Sequence, residues 1–290
     1  METDDLAFPS EYPACPESWA PYLDSMTLNE IESRIERFDQ IAWTLGSPER
    51  LRDELYAVLT PPHRSSFPVV SAEFRNIPEA TNVYRVRQIS SPEQIKESAD
   101  VWHAPPNLVG AGRLNREQES LLYTANSPKV AIAEARVQVG DMFALSEYEA
   151  AHDIPVVLVG QQASIAGLNA LQATKKRLLD AFFLRIFTTP SLPNGNRPYV
   201  ATEVLAKEFY DYPADVCTGW MYDSISSPGG VNFAFRPDES QRVLQFKCVH
   251  LARLLHTGPE AYGWYMFDVK RQRAGRDELV SVATNPQGAD

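Results

Sequence analysis

The spacing of apolar residues predicts that the first part of the chain is helical. Apolar positions recur every three or four residues over 28–45, which is the period of one helix face. Thr27 and Glu30 form a capping-box sequence before them, and Gly46 follows, as is typical of a helix end. A second segment of this kind covers 47–61. We therefore expect a helical hairpin that either packs on the rest of the chain or offers a surface to a partner or a second copy.

Beyond residue 80 the pattern changes to short strands that alternate irregularly with helices. Period-two alternation over 82–87 predicts a strand with one buried face and two arginines on the other face. The same patterns predict strands at Glu119–Ala125, Val156–Val159, Trp220–Asp223 and Val231–Phe235. They predict helices from Ser127 to about Gly140, from Thr174 to Phe187 and from Thr202 to Tyr210. Because no regular strand-helix-strand repeat occurs, the predicted fold class is α+β.

Charge and composition narrow the classes of function. A net charge of −11 argues against general nucleic-acid binding, which depends on concentrated lysine and arginine. We expect the basic clusters at 175–177 and 270–273 to be solvated faces. No signal-peptide pattern and no apolar run near the roughly 18 residues of a membrane span is present, so we expect a cytoplasmic protein without a membrane partner. Cys15, Cys217 and Cys248 lie far apart and should be free thiols.

Three side chains between residues 113 and 134 suit the binding of a dinucleotide. Arg113 lies in a polar loop with glycines, where a guanidinium can bind a pyrophosphate. Tyr123 follows on a predicted strand, where the alternative is a core tyrosine. Glu134 lies on a predicted helix in line with Val130 and Val137, on a largely apolar face. Since a buried carboxylate is costly unless it is paired or used, Glu134 forms either a structural ion pair with an arginine or part of a site.

The common motifs for nucleotides and metals are absent from the sequence. The fragment Gly110-Ala111-Gly112 lacks the third glycine of a dinucleotide fingerprint. There is no Walker loop, no nucleophile elbow and no His-Glu-x-x-His helix, and the five histidines show no metal-ligand spacing. We therefore expect no metal cofactor.

Several sequence blocks resemble the RES domain, a family named after its arginine, glutamate and serine. They occur in the expected order between about residues 80 and 240: Tyr84–Arg87, Gly112–Asn115, Leu122–Ala125, Ala131–Arg136, Tyr222–Ser224 and Gly230–Phe233. The chain departs from many members in having Leu114 where they have tryptophan, and in carrying the helical segment before residue 70.

The resemblance implies an ADP-ribosyltransferase-like fold, with a mixed β core and flanking helices. Residues 71–290 would form the catalytic domain and residues 1–70 a helical extension. It implies an enzyme that cleaves the nicotinamide–ribose bond of NAD+ as a glycohydrolase or phosphorylase, with NAD+ as its substrate and without a cofactor. The family includes bacterial toxins that pair with an antitoxin protein, which would then be a partner. Two alternatives are ADP-ribosylation of a protein and a catalytically silent binding module whose hairpin supplies the function.

The resemblance also assigns residues by position. It implies catalytic roles for Arg113, Tyr123, Glu134 and Ser224, and pocket roles for Arg85 and Asn232. Glu134 would stabilise an oxocarbenium-like ribose, and nicotinamide leaves NAD+ as a neutral molecule, so no general acid is required. Arg113 would hold the pyrophosphate, Tyr123 would stack on the nicotinamide or the adjacent ribose, and Ser224 would orient Glu134 or a ligand hydroxyl.

Overall fold

The computed structural model divides the chain into two compact units. It describes residues 16–42, 48–59, 72–160, 165–189, 197–258 and 262–282. The first unit combines the residues up to 75 with 110–119 and 157–213, and the second unit contains 76–109, 120–156 and 214–290. The sequence predicts a helical extension at 1–70 and a catalytic domain at 71–290. Compact units do not define where a catalytic domain begins, so this division stays a prediction.

Seven α-helices and ten strands occur in the described ranges, which confirms the α+β class. The helices are α1 (Pro16–Ser25), α2 (Leu28–Ala42), α3 (Pro48–Leu59), α4 (Pro128–Glu134), α5 (Ala170–Thr188), α6 (Arg197–Phe209) and α7 (Pro237–Val243). The strands are β1 (Glu73–Ile77), β2 (Asn82–Ile89), β3 (Leu122–Ala125), β4 (Met142–Ala150), β5 (Ile154–Leu158), β6 (Gly219–Asp223), β7 (Val231–Phe235), β8 (Leu244–Thr257), β9 (Tyr262–Gln272) and β10 (Leu279–Ser281). Among these helices, none is both long and apolar enough to cross a bilayer.

The predicted helical hairpin is present in the first unit as α2 and α3. The capping box forms, because the N–H of Glu30 donates to Thr27 Oγ1 at 3.2 Å and the N–H of Thr27 donates to Glu30 Oε2 at 2.7 Å. Helix α3 packs on α2 and on α6, where Tyr56 Oη donates to Glu208 Oε2 at 2.9 Å. The predicted stop and restart at 43–47 lie outside the described residues. The hairpin therefore packs within its own unit, and its role as a partner surface stays a prediction.

The expectation of a solvated basic face at 175–177 is wrong for its two lysines. Lys176 is fully buried in α5, where its ammonium donates to Asp180 one turn later and lies 4.6 Å from the centre of the Trp19 ring. Lys175 is also buried and donates to the carbonyl oxygen of Leu23. Burial lowers the pKa of Lys176, and the Asp180 carboxylate opposes this effect. The sequence pattern of α5 alone could not reveal that α1 covers this helix face.

The strands form one sheet in the order β1-β5-β6-β7-β3-β2-β4-β8-β9-β10. All strands of this order except β1 and β5 lie entirely in the second unit. Every neighbouring pair among these eight strands is antiparallel. The second basic cluster, 270–273, lies mainly on β9. Lys270 Nζ donates there to the carbonyl oxygen of Ile95 at 2.7 Å.

Strand β2 is covered on both faces, which corrects the prediction of one buried face. Val83 belongs to a core cluster on one face, and Tyr84 packs against a second cluster, built on α4, on the other face. Arg85 and Arg87 share the face of Val83 because alternate residues of a strand point to the same side. Their guanidinium groups donate to backbone carbonyl oxygens in 100–101 at distances of 3.4 and 3.2 Å, respectively. The arginines are thus accommodated under a loop.

Helix α4 ends at Glu134, well before its predicted end. Arg136 adopts a left-handed backbone with φ of 53°. Its N–H donates to the carbonyl oxygen of Ala133 at 3.0 Å, and the N–H of Val137 donates to that of Ile132 at 3.3 Å. These bonds form a Schellman closure, which satisfies the last carbonyl groups and turns the chain away. Val137 therefore does not continue the helix face of Glu134, contrary to the prediction.

The turn between β6 and β7 lies directly against α4. The N–H of Gly230 donates to the carbonyl oxygen of Ser227 at 2.9 Å, and its carbonyl oxygen accepts from the N–H of Ser224 at 2.8 Å. A Cβ atom added to Gly230 would lie 2.4 Å from Val130 Cγ2 and 2.9 Å from the oxygen of Ser227. Only a residue without a side chain fits between the turn and the helix.

Replacing Gly230 with alanine should lower the free energy of unfolding by about 1–3 kcal/mol, because the added methyl group overpacks this contact. Urea denaturation measures the effect. Gly110→Ala is the matched control, since no atom lies within 4 Å of a Cβ placed there. Equal stabilities for the two variants would contradict the close approach of the turn to α4.

Replacing Asp180 with alanine should lower the free energy of unfolding by about 3–5 kcal/mol, because the buried ammonium of Lys176 would lose its carboxylate. The double variant Lys176→Met, Asp180→Leu removes both charges and should recover most of the loss. The same denaturation experiment compares the two. A single variant as stable as the parent protein would show that Lys176 is not held as a buried charge.

Candidate functional site

The carboxylate of Glu134, at the end of α4, is bound by the β6–β7 hairpin. Its Oε1 accepts from Ser224 Oγ at 2.5 Å, from Asn232 Nδ2 at 3.0 Å and from the N–H of Ser226 at 3.4 Å. Hydrogen bonds to an ionised acceptor are the stronger kind, and three of them fix its orientation. Within the described part of the chain, Oε2 of Glu134 accepts none, so it can receive a ligand hydroxyl.

Ser224 is held in place by its own turn. It is buried, and its Oγ accepts from the N–H of Ser227 at 3.0 Å while it donates to Glu134. A hydroxyl has one proton to donate and two lone pairs, so the backbone N–H directs the serine proton towards the carboxylate. The orientation of Glu134 therefore depends on the conformation of the 224–230 turn.

Asn232 reaches Glu134 from the middle of the sheet. It is buried on β7, opposite Ala125 of β3 and Tyr222 of β6. Its amide and the two serine groups are neutral donors, and the described residues give Glu134 no arginine partner. The contacts of Glu134 with Ser224, Ser226 and Asn232 therefore differ from the structural ion pair with an arginine that the sequence left open.

Tyr123 lies on the same face of the sheet as Asn232. On β3 it is paired with Ala234, and Ala125, two residues later, is paired with Asn232. Directly opposed residues of antiparallel strands share a face, and so do alternate residues of one strand. Tyr123 is partly buried there, on the side of the sheet that α4 covers.

Arg85 lies on the opposite face of the sheet. Its neighbours Tyr84 and Val86 pack on the α4 side, so its own side chain points away from Glu134. The guanidinium donates to the carbonyl oxygen of Val101 at 3.4 Å. Burial lowers the pKa of Arg85. The structure thus does not bring Arg85 together with Glu134.

Arg113 belongs to the first unit, whereas the other five predicted site residues belong to the second. Its guanidinium donates to the carbonyl oxygen of Phe187, near the end of α5. The loop around it is shaped by Asn115, whose Nδ2 donates to the carbonyl oxygens of Gly110 and Arg116 at 2.9 and 2.7 Å. The predicted polar loop is therefore a hydrogen-bonded turn with a buried asparagine.

An open cavity of about 510 Å³ lies at the end of α4. This volume is within the range of small-molecule sites. Ala133 and the residues 136–139 after the helix line one part of it, and Ser226, Thr257 and Tyr262 line the rest. Ser226 connects the cavity to the site, because its N–H is directed at Glu134. None of the six predicted site residues lines the cavity itself, and its link to the Glu134 carboxylate is through Ser226.

Two contributors to this site are not identified from the sequence. The backbone N–H groups of Ser226 and Ser227 order Glu134 and Ser224, and the only sequence signal for them is the turn pattern Ser-Ser-Pro-Gly-Gly. Thr257 and Tyr262 line the cavity from β8 and β9, and no motif marks them.

Comparison with known proteins identifies the family. No curated protein and no solved structure matches the chain. A family model, the RES domain, matches residues 82–256, which is more than half of the 290 residues. The matched range contains Glu134, Ser224 and Asn232, and it agrees with the extent predicted from the separate sequence blocks. The hydrogen-bonded glutamate and serine thus lie in a chain that belongs to the RES domain family.

Proposed function

We propose that this protein consumes NAD+ by cleaving its nicotinamide–ribose bond, as a glycohydrolase or phosphorylase. The observation that carries the proposal is the Glu134 carboxylate, held on Oε1 by Ser224, Asn232 and the N–H of Ser226, a residue that also lines an open cavity. Membership of the RES domain family supports an NAD-related activity. We extend the proposal to an ADP-ribosyltransferase-like fold with a mixed β core and flanking helices, and to the toxin of a toxin–antitoxin pair, as the family resemblance implies.

In the proposed reaction, the C1′–N bond of the nicotinamide ribose breaks and its electron pair leaves with the nicotinamide. The base is cationic in NAD+ and neutral when it departs, so it needs no proton. The ribose becomes oxocarbenium-like, and a fixed negative charge stabilises it. Glu134 would supply that charge and accept a ribose hydroxyl on Oε2. An oxygen of water or phosphate then bonds to C1′, and a water that attacks loses one proton to solvent.

Ser224 and Asn232 act in this scheme through Glu134, as positioning residues. They donate to the carboxylate oxygen that the substrate does not use, so the carboxylate need not reorient while the reaction proceeds. Such preorganisation is a major source of electrostatic catalysis. Their neutrality also matters, because an arginine in their place would cancel the charge that stabilises the ribose.

We assign binding roles to Tyr123 and Arg113. Tyr123 lies on the sheet face covered by α4, and its ring would stack on the nicotinamide or the adjacent ribose, a contact worth about 1–3 kcal/mol for an aromatic base. For Arg113 the family resemblance implies binding of the pyrophosphate through its guanidinium, and this role stays a prediction. Neither role includes the bond-breaking step, so losses at these positions should appear mainly in KM.

Replacing Glu134 with glutamine should lower the rate of nicotinamide release from NAD+ by about 100-fold or more, because the amide keeps the shape but lacks the charge. Nicotinamide is measured by chromatography. Glu149→Gln is the matched control, since it removes a carboxylate of the same unit that is paired with Lys247 at 3.0 Å. Equal release by the parent protein and Glu134→Gln would contradict the proposal.

The acceptor is identified in the same reaction by using NAD+ labelled in its adenosine part. Free ADP-ribose indicates water, a phosphorylated ADP-ribose indicates phosphate, and label retained on protein indicates ADP-ribosylation. Calorimetry that detects neither binding nor turnover of NAD+ would instead favour a silent binding module.

Ser224→Ala and Asn232→Ala should each lower kcat by about 10- to 100-fold, the value of a hydrogen bond to a charged group, with little change in KM. Because both residues act through one carboxylate, neither substitution should add a further loss to Glu134→Gln. Steady-state kinetics of the single and double variants measures both effects. Losses that multiply in the double variants would show that these residues act independently of Glu134.

A further inference from the structure

A second cluster of reactive side chains lies on β4 and β8. Cys248 Sγ is 3.3 Å from His250 Nε2 and 3.9 Å from Glu147 Oε2, and the imidazole nitrogen is 3.6 Å from the same carboxylate oxygen. Thiolate, imidazole and carboxylate are the three side-chain ligand types of Zn²⁺. The mechanism proposed above uses none of these three residues.

Strand geometry brings the three side chains together. Cys248 and His250 are alternate residues of β8 and therefore share a face. On β4, Glu147 lies directly opposite Cys248 of β8. The register of the two strands shifts at this point, and Lys247 is the extra residue in β8. Such bulges redirect side chains and are common beside functional sites. The three groups are thus held on two central strands of the sheet rather than on loops.

The spacing of the ligand atoms fits one metal ion. A tetrahedral Zn²⁺ with bonds of about 2.0 Å to nitrogen and oxygen and about 2.3 Å to sulfur separates these atoms by roughly 3.3–3.5 Å. The observed separations of 3.3 Å for sulfur to nitrogen, 3.6 Å for nitrogen to oxygen and 3.9 Å for sulfur to oxygen differ from these values by a few tenths of an ångström at most. Small side-chain rotations would bring all three atoms to an ion at their centre.

Charge and access also favour a dication here. A carboxylate and a thiolate together neutralise a divalent ion, so no net charge is buried. Cys248 is buried, whereas the side chains of Glu147 and His250 are about a quarter exposed, at 25% and 24%, which leaves a route for the ion. The other ring nitrogen of His250, Nδ1, is 3.0 Å from Met266 Sδ of β9. A thioether is a weak acceptor, and in this orientation of the ring Nε2 is the nitrogen that faces the cluster.

We propose that Glu147, Cys248 and His250 bind a divalent transition metal of the zinc type, with a fourth position open to water. On binding, Cys248 loses its thiol proton to solvent and becomes a thiolate ligand. The site shares no residue with that of Glu134, and its ion would connect β4 to β8. The alternative is a hydrogen-bonded polar cluster that holds no metal.

The test uses Co²⁺ as a spectroscopic probe for zinc. The full chain is dialysed against a chelator and titrated with Co²⁺. One equivalent should produce a thiolate-to-cobalt charge-transfer band in the near ultraviolet and the strong visible bands of four-coordinate cobalt, and Zn²⁺ should remove both. No charge-transfer band in the parent protein would overturn the proposal.

Variants locate the bound ion. Cys248→Ser should lose the charge-transfer band, whereas Cys217→Ser, which changes the other buried cysteine of the same unit, should keep it. Glu147→Gln, at a partly exposed side chain, should weaken Co²⁺ binding by about 10-fold or more, and circular dichroism verifies that each variant is folded. Glu134→Gln should bind Co²⁺ as the parent does, which separates this test from that of the NAD-cleaving activity. A band that persists in Cys248→Ser, or unchanged affinity in folded Glu147→Gln, would refute the site.

Discussion

The contact between α4 and the β6–β7 turn is the constraint on which the candidate site depends. Glu134 is the last residue of a seven-residue helix, and it meets Ser224 and Asn232 only because the turn lies against Val130 with no space for a side chain at Gly230. The Schellman closure at Arg136 ends the helix there and opens the cavity beyond it. The position of one carboxylate therefore depends on backbone packing at both ends of its helix.

Buried or partly buried charges in this protein are compensated in three different ways. Lys176 is paired with Asp180 under the ring of Trp19, so the charges neutralise each other. Glu134 is bound by the neutral donors Ser224 and Asn232. Glu147 lies beside a thiol and an imidazole, and a cation would complete that group. Because an uncompensated buried charge is costly, the type of compensation distinguishes the structural pair of Lys176 and Asp180 from the carboxylate of Glu134, which has neutral donors as its partners.

Local sequence signals predict the ends of several elements well and fail where the backbone departs from a regular pattern. The capping box of α2 and the serine before α4 are short-range features, and both form. The end of α4 is missed because Arg136, rather than glycine, adopts the left-handed conformation. No element is predicted beyond residue 235, where β8 and β9 form a long hairpin. Register shifts in β8 interrupt the alternation of buried and exposed residues on which strand prediction relies.

The α+β class and the residue types available for chemistry can be derived from the sequence, because they follow from composition and from periodicity over a few residues, whereas the order of the RES blocks rests on resemblance to the family. The tertiary structure alone decided which groups meet. Ser224 and Asn232 reach Glu134 across 90 and 98 positions of the chain, and Cys248 meets Glu147 across 101. It also placed Arg85 on the other face of the sheet. Strand pairing and helix packing fix such contacts, and neither leaves a local pattern in the sequence.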